Sequence, residues 1–313
     1  MATPVFVLGL QRSGTTWIAN LLAGSGGVAA VTAAEHRGVH ESLFFSHFAT
    51  AFGPFDDAEA RGRFRAAFAA SDYFLLSGVS EATLDAALAR GRDYADAFAA
   101  VMDAVAERQG CALWLEKSPH HTLLAEDLAR RFPEARFVCV TRSSAGLIAS
   151  RLSAYGRRPP RGARRAADIL RGALTNALHV RSLRRFCAGC DRALPLRYES
   201  FVADEAEGKR ALRDFLGLDG AREDMRSRFA PNSSHAAPGA RRLSPGDRVW
   251  VAIGAGVGRL TPLALLAMVE RARSRARGCV WPDWVWLRSG FRPEGARRGV
   301  GVDRGPRGRG AVG

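Results

Sequence analysis

The chain has 313 residues, 47% of them hydrophobic, 25% charged and 9% aromatic, with a formal net charge of +15. That length supports a full core without disulfides or metals, and the apolar fraction excludes a largely disordered chain. No uncharged apolar run is long enough to read as a membrane span. The excess of 46 basic over 31 acidic residues favours an anionic ligand or a polyanionic partner. It is also what coding bias produces, since only Lys117 and Lys209 are lysines and the rest are arginines. Cysteines stand at 111, 139, 187, 190 and 279. Cys111 and Cys139 lie in apolar strand-like runs, where a thiol behaves as a small buried hydrophobe. Cys187 and Cys190 have no second ligand pair at zinc spacing, so no metal is expected. The N-terminus carries no export pattern, and a reducing cytoplasm is the expected compartment.

In chain order, the apolar run Val5–Gly9 reads as a strand, followed by a helix over 15–23 and a second strand over 28–32. Residues 41–109, rich in Ala and Phe at helical spacing, read as a helical insertion. Alternation then resumes, with a strand at 111–115, a helix at 123–131, a strand at 136–141, a helix at 144–152 and a strand at 194–198. Such an order predicts an α/β, P-loop-like three-layer sandwich, its central parallel sheet flanked by helices. Between Arg151 and Arg192 stand eleven arginines against Asp168 and Asp191, a face either solvated or lining an anion site. Farther on, 249–257 reads as a strand, 263–273 as a helix, and Trp281, Trp284 and Trp286 as a packed cluster. One domain over 1–287 is expected, followed by a disordered Arg/Gly-rich tail over 288–313.

The segment Gly9-Leu-Gln-Arg12-Ser13-Gly14-Thr15-Thr16 follows the first strand and opens the first helix. Backbone N–H groups at such a turn, the helix dipole and the hydroxyls of Ser13, Thr15 and Thr16 form an anion cradle. The spacing is that of a Walker A loop, yet Thr15 stands where its lysine belongs, and Arg12 is the loop's cation. The strand 136–141 ends in Thr-Arg, with no aspartate to hold Mg²⁺.

Residues 11–17, Gln-Arg-Ser-Gly-Thr-Thr-Trp, resemble the 5′-phosphosulfate loop of sulfotransferases that use 3′-phosphoadenosine 5′-phosphosulfate (PAPS). Arg142 and, eight residues on, Ser150 resemble that family's pair for the 3′-phosphate. Trp114-Leu-Glu-Lys-Ser-Pro-His120, Tyr198-Glu199 and Phe215-Leu-Gly-Leu218 resemble three further family segments, so the likeness spans about residues 4–218. The arginine in the loop is similar to that of bacterial, Golgi and tyrosylprotein members. The closing segment of the cytosolic branch is echoed only faintly, by Arg241-Arg242-Leu and Gly246-Asp247.

The resemblance implies transfer of a sulfuryl group from PAPS to a hydroxyl or amine, giving PAP, with no metal. Arg12, Ser13, Gly14, Thr15 and Thr16 would hold the phosphosulfate, Arg142 and Ser150 the 3′-phosphate, and Trp17 and Tyr198 the adenine, although Trp17 equally suits the core. Lys117 would offset charge on the bridging oxygen. His40-Glu41-Ser42-Leu43-Phe44-Phe45 resembles the heparan-type segment that carries the base, which makes Glu41 the first candidate, Glu35 the second and His120 a third; His36 and His40 lie in the same region. The expected acceptor is a small molecule or glycan, an acidic one included, with no specific nucleic acid and no membrane span. The alternatives are an ATP-dependent P-loop kinase and a polyanion-binding protein that uses its arginine-rich surface and tail.

Overall fold

In the computed structural model, the described residues are 1–34, 38–153, 159–218, 225–227, 243–265, 267–269, 272, 280–291 and 297–298. The strands are β1 (Thr3–Leu8), β2 (Val28–Ala30), the short β3 (Thr32–Ala33) and β4 (Gly38–Val39), β5 (Leu113–Glu116), β6 (Arg136–Thr141), β7 (Ala193–Arg197), β8 (Val280–Trp281) and β9 (Arg297–Arg298). Five of them form one parallel sheet in the order β2–β5–β1–β6–β7. The apolar run of β1 does not alternate, because both faces are covered: Phe6 and Leu8 enter one core cluster, Val5 and Val7 another. Residue Phe6 pairs with Glu116 on one side and Phe137 on the other, so the ends of β1, β5 and β6 emerge together at one edge. In open parallel sheets that carboxyl edge, beside the strand where the order reverses, is where ligands bind.

The helices in chain order are α1 (Thr15–Ala23), α2 (Ala49–Ala51), α3 (Ala58–Ala69), α4 (Asp72–Ser77), α5 (Glu81–Arg90), α6 (Tyr94–Gln109), α7 (Ala125–Arg131), α8 (Ser144–Leu152), α9 (Gly162–Ala188), α10 (Tyr198–Ala203), α11 (Glu205–Leu216) and α12 (Pro245–Leu260). Most of the 41–109 stretch is helical from Phe44 on, as its periodicity implies, with 52–57 outside any helix. Helices α3 to α6 start at Asp57, Ser71, Ser80 and Asp93, whose side chains accept first-turn N–H groups. With the helical turn Phe44–Phe48, which supplies Phe44 and Phe48, their inner faces bury Phe64, Phe68 and Phe98 in the same cluster as one face of the sheet. The tryptophans close that cluster from the far end of the chain: Trp281 lies 4.8 Å from the Phe48 ring, and Trp286 Nε1 donates to Ala67 O at 3.0 Å. Packing continues into the segment expected to be tail, where Arg288 N–H donates to Asp72 and the Ser289 hydroxyl to Ala70 O. Apart from 297–298, the chain beyond 291 lies outside the described residues, as does Cys279.

The largest departure from expectation is at 249–257, read as a strand on its valines and observed as the middle of α12. Two local facts decide it. Ser244 and Asp247 form a reciprocal capping box around Pro245 at the first helical position. Gly254 and Gly258, four residues apart, then let α12 lie directly on α9: a Cβ at Gly254 would fall 2.5 Å from Leu170 O, and one at Gly258 2.6 Å from the Ala177 Cβ. Arginines of the basic stretch are spent on the same contact. Arg165 binds Asp247 through both oxygens at 2.8 and 2.7 Å and holds its carboxyl well below the usual range, and Arg181 donates to the carbonyls of Gly258 and Thr261. Asp247, read as an echo of a closing segment, is thus a cap and an ion-pair partner.

Smaller corrections follow from turns. The second strand stops at Ala30, and Thr32 already belongs to the antiparallel β3–β4 pair. Pro119 starts a 3₁₀ turn, Pro119–Leu124, ahead of α7. Cys111 precedes β5 and is half-exposed, whereas Cys139 is buried as expected.

Close packing of α12 on α9 makes a specific prediction. Gly254→Ala should lower stability by about 1–3 kcal/mol through overpacking. Gly256→Ala, whose Cβ meets nothing within 4 Å, should raise it by up to about 1 kcal/mol. Urea unfolding of the two variants reads opposite signs from one helix.

Candidate functional site

The turn after β1 is held in a shape that few sequences allow. Gly9 N–H donates to Thr122 Oγ1 at 3.0 Å, and Ser13 N–H to Leu10 O at 2.9 Å. Arg12 has φ 78° and Gly14 φ 104°, the left-handed region that costs a residue with a Cβ about 1 kcal/mol or more. At Gly14 space enforces the same choice, since a Cβ there would sit 2.2 Å from Tyr198 Cδ2. Helix α1 starts from Gly14 with no side-chain cap and no acidic residue in its first turn, which leaves the dipole end suited to an anion. The Ser13 hydroxyl is buried there with no hydrogen-bond partner among the described residues, a group that an oxyanion would satisfy. Thr15 is buried at the start of the helix, and Thr16 is half-buried beside it.

The turn after β6 meets this loop. Arg142 Nη1 donates to Arg12 O at 3.0 Å, and its guanidinium lies 4.3 Å from the centre of the Tyr198 ring. Arg12 in turn reaches across to α8, with Nε and Nη2 both 3.3 Å from Ser150 Oγ. Ser143 caps α8 by accepting the Gly146 N–H at 3.1 Å, and Asn176 of α9 donates to Arg142 O and Ser144 Oγ, each at 3.0 Å. Glu199 accepts the Ser143 N–H at 2.9 Å; burial pushes its carboxyl up, but Ser143 and the charge of Arg142 outweigh this and hold it below its ordinary value. Trp17 is buried and meets Tyr198 and Phe201 edge-on at 6.0 and 5.2 Å, the place of a core aromatic that backs Tyr198.

A third cation enters from β5. Lys117 is 2% exposed, and its Nζ donates to Glu41 Oε1 at 2.8 Å and to Thr16 Oγ1 at 3.3 Å. One ammonium therefore joins the anion loop to the carboxylate that ranked first as a base. Glu41 is brought there by the β3–β4 pair, which is pinned to α1 where Asn20 Oδ1 accepts the Val39 N–H at 2.8 Å. His40, adjacent, is buried against Tyr73 and Trp284. Glu35 and His36 lie outside the described residues, as do Arg241 and Arg242. His120 is exposed, with its ring 5.5 Å from that of His47, and neither hydrogen bond of the Lys117 ammonium goes to it.

Beneath Lys117 lies a fully satisfied polar knot. Glu116, 1% exposed, accepts from Ser42 and Ser118 through Oε1 at 2.7 and 2.5 Å and pairs with His121 Nδ1 through Oε2 at 2.8 Å. Since Phe45 N–H donates to His121 Nε2 at 3.1 Å, the proton sits on Nδ1 and points at the carboxylate. Burial pushes the Glu116 carboxyl up, and the electrostatic pull of His121, with the hydrogen bonds from His121, Ser118 and Ser42, more than offsets it, leaving it below its ordinary value. The knot ties the 40–46 segment to the end of β5 and so fixes Glu41 against Lys117.

His121 and Asn176 were not singled out in the sequence. The signal for His121 is the proline-started 3₁₀ turn, in which side chains three apart eclipse, setting residue 121 over Ser118. For Asn176 it is a lone amide on the apolar face of a helix. Among the described residues, no group of three or more His, Cys, Asp or Glu is arranged to hold a metal ion.

A family model described as "Sulfotransferase family" matches residues 4–223. The chain is similar to the sulfotransferase domain of an olefin synthase from Synechococcus PCC 7002, at 18% identity over 88% of this chain and 95% of that one, with a TM-score of 0.46. It is also similar to a sulfotransferase from Alicyclobacillus acidocaldarius, at 16% identity over 88% and 100%, TM-score 0.46, and to sulfotransferase STF1 from Mycobacterium tuberculosis H37Rv, at 15% over 86% and 76%, TM-score 0.38. Among curated proteins none matches in sequence.

The knot makes stability depend on pH in a defined direction. The folded Glu116 carboxyl lies below its ordinary value of 4.5, so on acidification the unfolded chain takes up the proton first. The contribution is complete above that value and is lost as pH falls through the folded one. Glu116→Gln should cost about 2 kcal/mol near neutral pH, and its urea midpoint should fall less steeply than that of the parent chain between about pH 5 and pH 3.

Proposed function

The chain belongs to the sulfotransferase family, enzymes that transfer a sulfuryl group, and we propose that its site takes this group from PAPS and passes it to a hydroxyl or amine, leaving PAP. One observation carries the reading: the turns that hold Arg12 and Arg142 touch, through the 3.0 Å bond from Arg142 Nη1 to Arg12 O. Two anion sites so close suit a single nucleotide with phosphate at both ends. The Ser13 hydroxyl, buried and without a partner among the described residues, and the uncapped start of α1 fit the phosphosulfate end. Arg142 and Ser150 fit the 3′-phosphate, and Arg12 exchanges its long contacts to Ser150 for the anion.

When bound, PAPS supplies an activated sulfur–oxygen bond. In the transfer, the acceptor atom forms a new bond to sulfur, the bond from sulfur to the bridging oxygen breaks, and that oxygen leaves with the electron pair on PAP. Lys117, fixed between Thr16 and Glu41, neutralises the charge that develops beside the loop. Glu41 takes the proton from the acceptor. Because both groups share one hydrogen bond, departure of the proton toward Glu41 and movement of Lys117 toward the leaving oxygen are coupled. Tyr198, pressed between Gly14 and Arg142, keeps the two turns in register beside the nucleotide.

The kinase alternative has less support. The acidic residue ending β5, Glu116, has both carboxylate oxygens engaged by Ser42, Ser118 and His121, and β6 ends in Thr141 before an arginine. The acceptor is a small molecule or a glycan.

Calorimetry tests the reading at both ends of the nucleotide. PAP should bind more tightly than ATP–Mg²⁺, and Arg142→Ala should weaken PAP by roughly ten- to a hundredfold while weakening adenosine 5′-phosphate far less. A preference for ATP–Mg²⁺, or equal losses for the two ligands, would remove it. Glu41→Gln should lower transfer from labelled PAPS to a pool of hydroxyl and amine acceptors by about a hundredfold or more, with PAP affinity nearly unchanged in the same preparation.

A further inference from the structure

The inner face of α12 is accounted for by Val251, Gly254, Ala255 and Gly258, which are buried on the α9 side. Its outer face is not. Val249 is 57% exposed, Trp250 41%, Ile253 43%, Val257 46% and Leu260 88%. At 3.6 residues per turn these five fall within an arc of about 100°. That is one continuous apolar stripe on which none of the described residues packs, and the exposed Leu265, Met268 and Val269 follow it. Soluble proteins scatter exposed apolar residues, and a stripe of this kind marks an interaction surface.

The charges around the stripe say what it meets. Arg248 and Arg259 are exposed and lie together on one flank, three turns apart on the same line of the helix. From 248 to 277 the sequence carries six arginines and a single acid, Glu270. An apolar arc bordered by arginine, with an indole at its margin, is the pattern of a helix that lies in the plane of an anionic bilayer. A second copy fits less well, since an antiparallel two-fold pairing of these faces would set basic flank against basic flank. Among the described residues no single helix is long and apolar enough to cross a membrane, and α12 is fastened to α9 along its inner side.

We propose that α12 docks this protein on an anionic lipid surface, its apolar arc entering the boundary between headgroups and acyl chains and its arginines meeting lipid phosphates. The inner side of the same helix shares a core cluster with Leu147 and Ile148 of α8, against which Leu10 of the anion loop packs. The docked face and the candidate site are thus two sides of one packed layer. The proposal is independent of the reaction assigned above.

Cosedimentation of the full chain tests it, using vesicles of phosphatidylcholine and phosphatidylglycerol at about three to one against phosphatidylcholine alone. Mixed vesicles should bind the chain about tenfold more tightly or better. The double variant Ile253→Gln with Val257→Gln should lose about tenfold or more of that affinity without a change in its thermal midpoint, both positions being exposed. Equal binding of variant and parent would assign any association to the arginines alone and overturn the proposal. Failure of the parent chain to bind the mixed vesicles would do the same. So would a dimer, seen in sedimentation, that the double variant abolishes while vesicle binding persists.

Discussion

Two chain turns 130 residues apart, one after β1 and one after β6, are locked by a hydrogen bond from Arg142 to the carbonyl of Arg12. The lock exists because three local conditions hold together. Gly14 leaves room for the Tyr198 ring, that ring gives the Arg142 guanidinium a surface to lie on, and Arg12 takes the left-handed conformation. Arg12 and Gly14 follow β1, Arg142 follows β6 and Tyr198 follows β7, so the parallel arrangement that brings those three strand ends to one edge is what the site rests on. A side chain at Gly14 would separate the turns without touching either arginine.

The second constraint is electrostatic and lies one layer down. A carboxylate as buried as Glu116 is tolerable only when its lone pairs are taken up, and Ser42, Ser118 and His121 do this completely. Those partners come from the segment after β4 and the turn after β5, so the same bonds that settle the buried charge also set Glu41 against Lys117. Work is divided between neighbours in sequence: Glu116 organises from below, and Lys117 faces the loop.

Much of this could be read from residues alone. The anion loop was legible because glycine, hydroxyls and an arginine stand between an apolar strand and a helix, and Lys117 and Glu41 because their segments resemble those of a family. The α12 helix was not legible, since its valines and glycines carry a β-like pattern and only contact with α9 turns Gly254 and Gly258 into packing surfaces. The doublet at 120–121 could not be resolved either, because the choice of the inward histidine depends on the 3₁₀ turn started by Pro119. Asn176 shows the general limit: its partners are a carbonyl and a hydroxyl more than thirty residues away, and no local spacing marks such a bond.

The stitch between Trp286 and Ala67, with that between Arg288 and Asp72, bears on the order of events at the ribosome. Helices α3 and α4 emerge early in synthesis, yet the indoles that cover their aromatic cluster arrive more than 200 residues later. At about 5–20 residues per second, the nascent insertion spends some ten seconds or longer with Phe48 and Phe52 lacking their lid. That interval is when a chaperone holding exposed aromatic surface would matter most to this chain, and a ribosome stalled short of residue 281 would release a polypeptide whose first half is nearly complete and still adhesive.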